Sequence, residues 1–426
     1  MVTTEFDRIF QNKCADSRLN TSYPLSPSDW SPYRVQGPLP FPDKTLSFYI
    51  HIPFCKSLCS FCEYTRTICP EEDVQLAYVQ SLRNDIEIWL GSRESIILEG
   101  FDIGGGTPTA LSELAFKELM HLYQWITDRL KPTADFEPSI EGTFHSLSKR
   151  KLQLIRESGI YRLSLGIQSV NSHVLHKASR AEVTLNEALH TRSLIKEIGI
   201  RKLNVDLMYG LNGMTSFDCK RALEWIKILD PEQVTLYEFR PNMVTGRAYI
   251  NVDGRYKQYC LLFDGLCDQG YGARFGANTF SKNSTDLGVS SYLRSRMCDC
   301  TPYKGFGISA QSMSSYGISY NVGKGMHQIS NLLENGGFSE EYTYILPSKE
   351  RLAKYISISA YNGQFSTEVA SRIIGENYLL AFSETISFLE SKGMITVTPG
   401  QIRITREGFK RYGAVFSMLF DSGYRN

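Results

Sequence analysis

Cys55, Cys59 and Cys62 stand at a C-x3-C-x2-C spacing within Cys55-Lys56-Ser57-Leu58-Cys59-Ser60-Phe61-Cys62-Glu63-Tyr64. Thiolates are soft ligands, and three from one short loop can hold three irons of a [4Fe-4S] cluster, whose complete sites take four. A loop that supplies three leaves one iron open to a small molecule. That suggests a reactive cluster rather than an electron relay. Zinc is the competing reading, and structural zinc sites close four ligands, usually from two short Cys/His clusters. The other close pair, Cys298 and Cys300, is a C-x-C far downstream. Three structural thiols are the plainest alternative, because free cysteine is often buried. Three in one short loop are not expected by chance.

The elements that must position this loop follow from periodicity. The loop comes directly after the apolar run Leu46 to Phe54, whose Leu46–Ile52 stretch predicts a first strand. A helix is expected over Val74–Leu90, a strand over Ile96–Ile103, and a helix over Ser112–Arg129 behind a Ser/Glu capping signal. Strands at Phe136–Gly142, Leu163–Gly166, Lys202–Met208 and Gln233–Glu238 alternate with helices at Ser148–Glu157, Thr184–Ile198, Phe217–Leu229 and Tyr256–Asp268. Six strand–helix units in succession predict an α/β fold with parallel strands and right-handed crossovers. A partial (β/α)6 TIM-type barrel fits, with chemistry at the C-terminal strand ends. The cysteine loop and the run Gly104-Gly105-Gly106 both open on that face.

Residues 1–44, rich in Ser, Pro and Asp, read as an N-terminal arm lying extended on the core. Residues 45–335 read as the core barrel with a substrate-covering extension, in which 270–335 shows no clear periodicity and suits a lid. Residues 340–426 predict a small C-terminal winged-helix-like module. It has a helix over Asn377–Ser391, strands Met394–Val397 and Ile402–Ile404 about the turn Thr398-Pro399-Gly400-Gln401, and a last helix capped by Thr405. It lacks a basic stripe, so packing or covering substrate is expected of it rather than binding DNA.

Charge limits the partners. The 426 residues carry 46 Lys and Arg against 45 Asp and Glu, a net charge of +1, so nothing argues for nucleic acid or an anionic membrane. No apolar run approaches the roughly 20 residues that span a bilayer. The start, Met1-Val2-Thr3-Thr4-Glu5-Phe6-Asp7, lacks the basic and apolar regions of a signal peptide, so a cytoplasmic protein is expected. The ten cysteines then suit metal ligands and free thiols rather than disulfides, with Cys298 and Cys300 as buried thiols.

Several stretches together resemble one family. Tyr49-Ile50-His51-Ile52-Pro53-Phe54-Cys55 with Cys59 and Cys62 is similar to the radical S-adenosylmethionine (SAM) enzymes, in the branch of the oxygen-independent coproporphyrinogen III oxidases, the HemN-type enzymes. Asp102-Ile103-Gly104-Gly105-Gly106-Thr107-Pro108-Thr109 resembles the family's glycine segment, and Gly159 to Ser169 its fourth-strand segment. Asn204 to Leu211 resembles the fifth, Gly305 to Ala310 a late segment near the active site, and Thr21-Ser22-Tyr23-Pro24 the arm.

The resemblance implies a [4Fe-4S] cluster on Cys55, Cys59 and Cys62 whose open iron takes the amino and carboxylate groups of SAM. It implies SAM contacts from Gly104, Gly105, Gly106 and Thr107, from Glu141 to the ammonium, from Gln168 to the ribose, from Arg180 to the carboxylate and from Asp206 to the nucleoside. His51 is expected to be a structural hydrogen-bonder, and Phe54 and Phe61 to shield the cluster. Members of the branch hold a second SAM, and Tyr49 matches the tyrosine associated with it. Tyr49 and Glu238, at the end of strand six, are the catalytic candidates.

Two departures bear on the reaction. Coproporphyrinogen oxidases carry a further cysteine two positions after the third ligand, where this chain has Tyr64 after Glu63. The proline often found shortly after the strand-three glutamate is also missing from Glu141-Gly142-Thr143-Phe144. The expectation is therefore a radical SAM enzyme that uses two SAM molecules, like the class C methyltransferases and cyclopropanases. It would transfer a methyl or methylene unit to an sp2 carbon of a small natural-product substrate. Coproporphyrinogen-type oxidative decarboxylation, haem-ring-opening methyl transfer and a haem chaperone are the alternatives. A flavodoxin or ferredoxin as electron donor and a monomeric state complete the expectation.

Overall fold

Strand β1, Thr45–Ile52, shows why the core forms. Leu46, Phe48, Ile50 and Ile52 alternate to one face and are fully buried, while Tyr49 and His51 turn to the other. Helix α1, Glu72–Gly91, covers the apolar face with Tyr78, Leu82 and Ile86. Phe48 meets Trp89 edge-on at 5.7 Å, and Phe54 meets Tyr78 at 5.1 Å. Truncating Phe48 to alanine would cost about 3–5 kcal/mol. This arrangement is seen in a computed structural model, which describes residues 5–15, 23–24, 27–93, 95–240, 252–323, 329, 333 and 340–421.

The unit then repeats. In chain order it continues with β2 Ile97–Gly105, α2 Glu113–Arg129, β3 Ser139–Gly142, α3 Lys149–Glu157, β4 Arg162–Gln168 and α4 Leu185–Ile198. β5 Lys202–Tyr209, α5 Ser216–Leu229, β6 Gln233–Glu238 and α6 Val252–Asp268 complete it. Ser112, Ser148, Thr184 and Thr215 each accept a backbone N–H in the first turn of the helix they open, a contribution of about 1 kcal/mol each. β1 to β6 pair in sequence order, all parallel, and the strand order is open, as a partial barrel requires.

Residues 270–335 are far more regular than their sequence suggests. They hold β7 Thr279–Ser281, α7 Ser291–Cys298, β8 Tyr303–Phe306, β9 Gln311–Met313 and β10 Gly317–Asn321. β7 adds antiparallel to β6. β8 adds parallel to β1, matching Tyr303 to Ser47, so it runs parallel with β1 to β6. β9, β10 and β11 (Glu340–Ile345) extend that edge antiparallel. These strands are three to six residues long and rich in Gly and Ser, too short for an alternation to register.

The C-terminal part carries helix α8, Ser348–Ser359, and a three-stranded sheet of Gln364–Ser366, Gln401–Ile404 and Ile395–Thr398. The expected hairpin is present, with Thr398 opposite Gln401, and Thr405 caps the helix after it. The single helix expected at Asn377–Ser391 is two, Tyr378–Ala381 and Ser383–Ser391, broken at Phe382. The arm is not simply extended: Glu5–Ala15 is helical and pairs Lys13 with Asp421 at 3.0 Å and Asp7 with Lys392 at 2.7 Å. Trp30 is buried, and its Nε1 donates to Glu350 at 3.0 Å beside the Tyr23 hydroxyl at 2.7 Å. Thr21 and Ser22 lie outside the described residues. Among the described residues no helix is long and apolar enough to cross a membrane.

Candidate active site

The cysteine loop leaves β1 at the C-terminal end of the parallel strands and is pinned from several sides. His51, on the polar face of β1, bonds the Thr65 carbonyl through Nε2 at 2.8 Å. A carbonyl only accepts, so Nε2 carries the hydrogen, and the Tyr49 hydroxyl at 3.2 Å donates to Nδ1. Burial holds this imidazole down at about 4, so it is neutral near pH 7. Arg66 donates to the Cys59 carbonyl at 2.6 Å and the Tyr64 carbonyl at 3.2 Å. His51 is thus a structural hydrogen-bonder, as its sequence position suggested.

Cys55 and Cys59 are buried and Cys62 is half-buried, all as free thiols. They lie close enough for the charge of each to act on the others. The Thr107 hydroxyl donates to Cys55 Sγ at 3.5 Å, and Arg180 donates to Cys59 Sγ at 3.6 Å and to the Gly166 carbonyl at 2.7 Å. Burial raises the Cys55 and Cys62 thiols, against which Thr107 pulls on Cys55 and Arg66 on Cys62. Among the described residues no three His, Cys, Asp or Glu side chains converge on one metal-ion position. A cubane asks for something else, three thiolates each on its own iron, with hydrogen bonds to the sulfurs.

The glycine run closes against this loop. Gly106 N–H donates to the Ile52 carbonyl at 2.7 Å and Thr107 N–H to the Phe54 carbonyl at 2.8 Å. A Cβ on Gly106 would stand 3.0 Å from Cys55 Sγ and 2.8 Å from the Pro53 carbonyl carbon. Gly105 has φ +113°, and its Cβ would strike the His51 ring at 2.6 Å. Its N–H donates to Glu141 at 3.2 Å, whose carboxylate occupies the space a Gly104 Cβ would need.

Glu141, Asp206 and Asp102 form an acidic group on the concave face of the sheet. Burial, then Asp206 and Asp102, push Glu141 up to about 8. Burial raises Asp206 too, although Ser164 and Asn204 donate to it at 3.1 and 2.7 Å. Asp102 is pushed up to about 7 by burial, against the pull of Arg162. Its Oδ2 accepts from Ser290 at 2.8 Å, while its Oδ1 is buried with no hydrogen-bond partner. Beneath them Arg162 bonds Gln233, Ser139 and the Gly288 carbonyl at 2.8, 2.8 and 3.3 Å, tying β3, β4 and β6 together. Gln168 ends β4 at φ +67°, and its Oε1 is likewise buried and unpartnered.

Helix α7 floors the chamber. It lies on β2 at Gly100, where a Cβ would meet Tyr292 N at 2.3 Å. Tyr292 stacks on Tyr49 at 5.8 Å. Arg296 lies 4.9 Å from the Tyr292 ring centre and 4.1 Å from that of Tyr303, donating to both hydroxyls. Tyr64 is 58% exposed, but the space it faces is the inside of this mouth, where Glu141, Tyr361 and Cys62 act on it. Glu63 pairs with Arg240 at 2.7 Å, tying the cysteine loop to the chain after β6. Pro241 and Asn242 lie outside the described residues.

Cys55, Cys59, Cys62, Gly104 to Thr107, Glu141, Gln168, Arg180, Asp206 and Tyr49 therefore gather at one end of the sheet. Glu238 ends β6 on the same side but is bound on both oxygens, by Arg255 and by the Tyr412 hydroxyl of the C-terminal module. Sequence reasoning missed Asp102, Arg162 and Arg296. Only Asp102 had a usable signal, standing two residues before Gly104 on one strand face.

These features fit a cluster and SAM. Two orphaned buried acceptors, Gln168 Oε1 and Asp102 Oδ1, face a chamber that needs donors such as an ammonium or ribose hydroxyls. Glycines admit a ligand where a Cβ would fill the cradle. Residues 49–226 match the radical SAM superfamily model. The haem chaperone HemW of Bacillus subtilis is 26% identical over 374 residues, covering 85% of this chain and 96% of the relative. The oxygen-independent coproporphyrinogen III oxidase of Bradyrhizobium diazoefficiens is 28% identical over 287 residues, 63% of this chain and 62% of its own length. The solved coproporphyrinogen III oxidase HemN of Escherichia coli superposes with TM-score 0.73 at 23% identity, covering 90% of this chain and 91% of that one, a likeness of fold. Fold and family model together define a radical SAM enzyme, whose family cofactors are a [4Fe-4S] cluster and SAM. Within that superfamily its relatives include HemW- and HemN-type proteins.

Proposed function

We propose that this chain cleaves SAM beside Cys55, Cys59 and Cys62 and turns the resulting radical on a carboxylate-bearing, ring-shaped small molecule lying on α7. One observation carries the substrate class. Arg296 lies between two tyrosine rings and, among the described residues, donates to their hydroxyls and makes no ion pair to a carboxylate, with Asp102 acting on it at longer range. A half-buried guanidinium favours a carboxylate in its fork, and the flanking tyrosines favour a flat ring system. The relatives are named for haem and coproporphyrinogen III, both tetrapyrroles with propionate arms. When bound, the cluster and SAM supply a primary carbon radical that abstracts hydrogen. The chain's own share is to hold SAM by Glu141, Gln168 and Asp206, to keep water from Cys55, and to anchor the substrate.

A one-carbon transfer that uses a second SAM is the reading of the reaction itself. Tyr64 supports it, because a tyrosine lines the mouth at the position where coproporphyrinogen oxidases carry a cysteine. Anaerobic reconstitution with SAM, reductant and candidate tetrapyrroles tests both statements. S-adenosylhomocysteine or methylthioadenosine alongside 5′-deoxyadenosine supports one-carbon transfer. Carbon dioxide with 5′-deoxyadenosine alone replaces it by decarboxylation. Tight haem binding without SAM cleavage replaces the enzyme by a haem carrier.

A further inference from the structure

A second cavity lies at the opposite end of the sheet. It measures about 490 Å³ and opens among Thr45 and Glu99, near the starts of β1 and β2, and Pro302, just before β8. β1 separates it from the cysteine loop by roughly 23 Å at the usual strand rise. Its size falls in the range of small-molecule sites. Two guanidinium groups and an amine from the C-terminal part line it: Arg351 and Lys354 from α8, and Arg372 from the helix Thr367–Ile374, with the Lys354 amine lowered to about 7 by burial and then Arg296. Their hydrogen bonds go to backbone carbonyls, Arg351 to Ser315 at 2.7 Å, Lys354 to Tyr23 at 2.9 Å and Arg372 to Asp299 at 2.7 Å. Arg351 Nε is buried with no partner.

The acids at the rim are otherwise occupied. Asp43 accepts from Ser315 N and Oγ, each at 3.3 Å, and Glu99 from Thr301 at 3.1 Å. Asp299, whose carbonyl takes Arg372, also feels the charges of Arg294 and Arg372 on its carboxylate, though among the described residues it makes no ion pair with Arg351, Lys354 or Arg372. Ile318, Leu346 and Ile373 form an apolar wall. Guanidinium forks whose hydrogen bonds go to backbone carbonyls, beside such a wall, describe a site for a small carboxylate with an apolar body. We infer that Arg351 and Arg372 bind the carboxylate of such a molecule here, near the starts of β1 and β2 and one strand-length from the cysteine loop. An occupant would join α8 and the Thr367–Ile374 helix to the edge of the sheet.

Calorimetric titration of the anaerobically reconstituted holoenzyme with 3-phenylpropionate tests the site. Saturable binding that persists in R296Q is expected, weakened roughly tenfold or more in R351Q/R372Q. Absent saturable binding, binding unchanged in R351Q/R372Q, or binding lost in R296Q would each overturn the inference. Should the double variant unfold, phenylglyoxal labelling of the wild-type holoenzyme replaces it. The probe is then expected to protect the Arg351 peptide, and unprotected labelling counts against the site. Loss of turnover in R296Q bears on the substrate reading alone.

Discussion

Glu141 accepts the Gly105 N–H, and the charges of Asp206 and Asp102 act on it across the concave face of β2, β3 and β5. Its carboxyl opens to solvent on the chamber side, yet burial of the surrounding face and the two neighbouring carboxylates push it up to about 8, so it keeps its proton to higher pH than an ordinary glutamate. The sign of the linkage follows. A folded value raised above the unfolded one favours the fold at low pH, an advantage lost as pH rises towards 8. A bound amino group that donates to it reverses the preference, since the ionised carboxylate is the better acceptor. SAM affinity in wild type is therefore expected to rise with pH up to about 8 and then level off. E141Q is expected to bind SAM roughly tenfold more weakly with a flat profile, read by equilibrium dialysis. A sloping profile in E141Q would remove Glu141 from this role. Cys55, Cys59 and Cys62 were legible from spacing because metal ligation constrains spacing. Arg162 and Arg296 were not, because an arginine inside a strand or helix reads as a surface charge until its buried partners are seen.

At the scale of elements, close approach of α7 to β2 sets the chamber floor, and Gly100 permits it. G100A would drive a methyl against the Tyr292 backbone, which cannot rotate away as a side chain can. The expected cost is about 1–3 kcal/mol, read as a lower urea midpoint, with weaker substrate binding as Tyr292 and Arg296 shift. An unchanged midpoint would mean that α7 moves freely, and the floor would lose its meaning. The long periodic elements were legible with boundaries within a few residues, because alternating and helical patterns have room to declare themselves over seven or more positions. Residues 270–335 were not. β8, only Tyr-Lys-Gly-Phe, becomes a strand through pairing with β1, information that no local window holds.

Across the whole molecule, the C-terminal module is fastened to the barrel through Glu238, which takes Arg255 on one oxygen and Tyr412 on the other. Side chains this buried make E238Q costly, because the Arg255–Glu238 pair loses one of its charges: about 3 kcal/mol or more. Y412F, which removes one hydrogen bond, should cost about 1 kcal/mol. Both are expected to speed amide exchange over residues 406–418, while SAM cleavage per folded molecule stays unchanged. Lost turnover at full stability would instead make Glu238 part of the chemistry. The order of synthesis adds a constraint of another kind. β1 emerges first among the parallel strands, yet its outer neighbour β8 follows roughly 250 residues later, about 10–50 s at ordinary translation rates. Throughout that interval the nascent chain displays an unpaired apolar edge directly upstream of three reduced thiols. The arrival of β8 therefore sets how soon that edge can be covered.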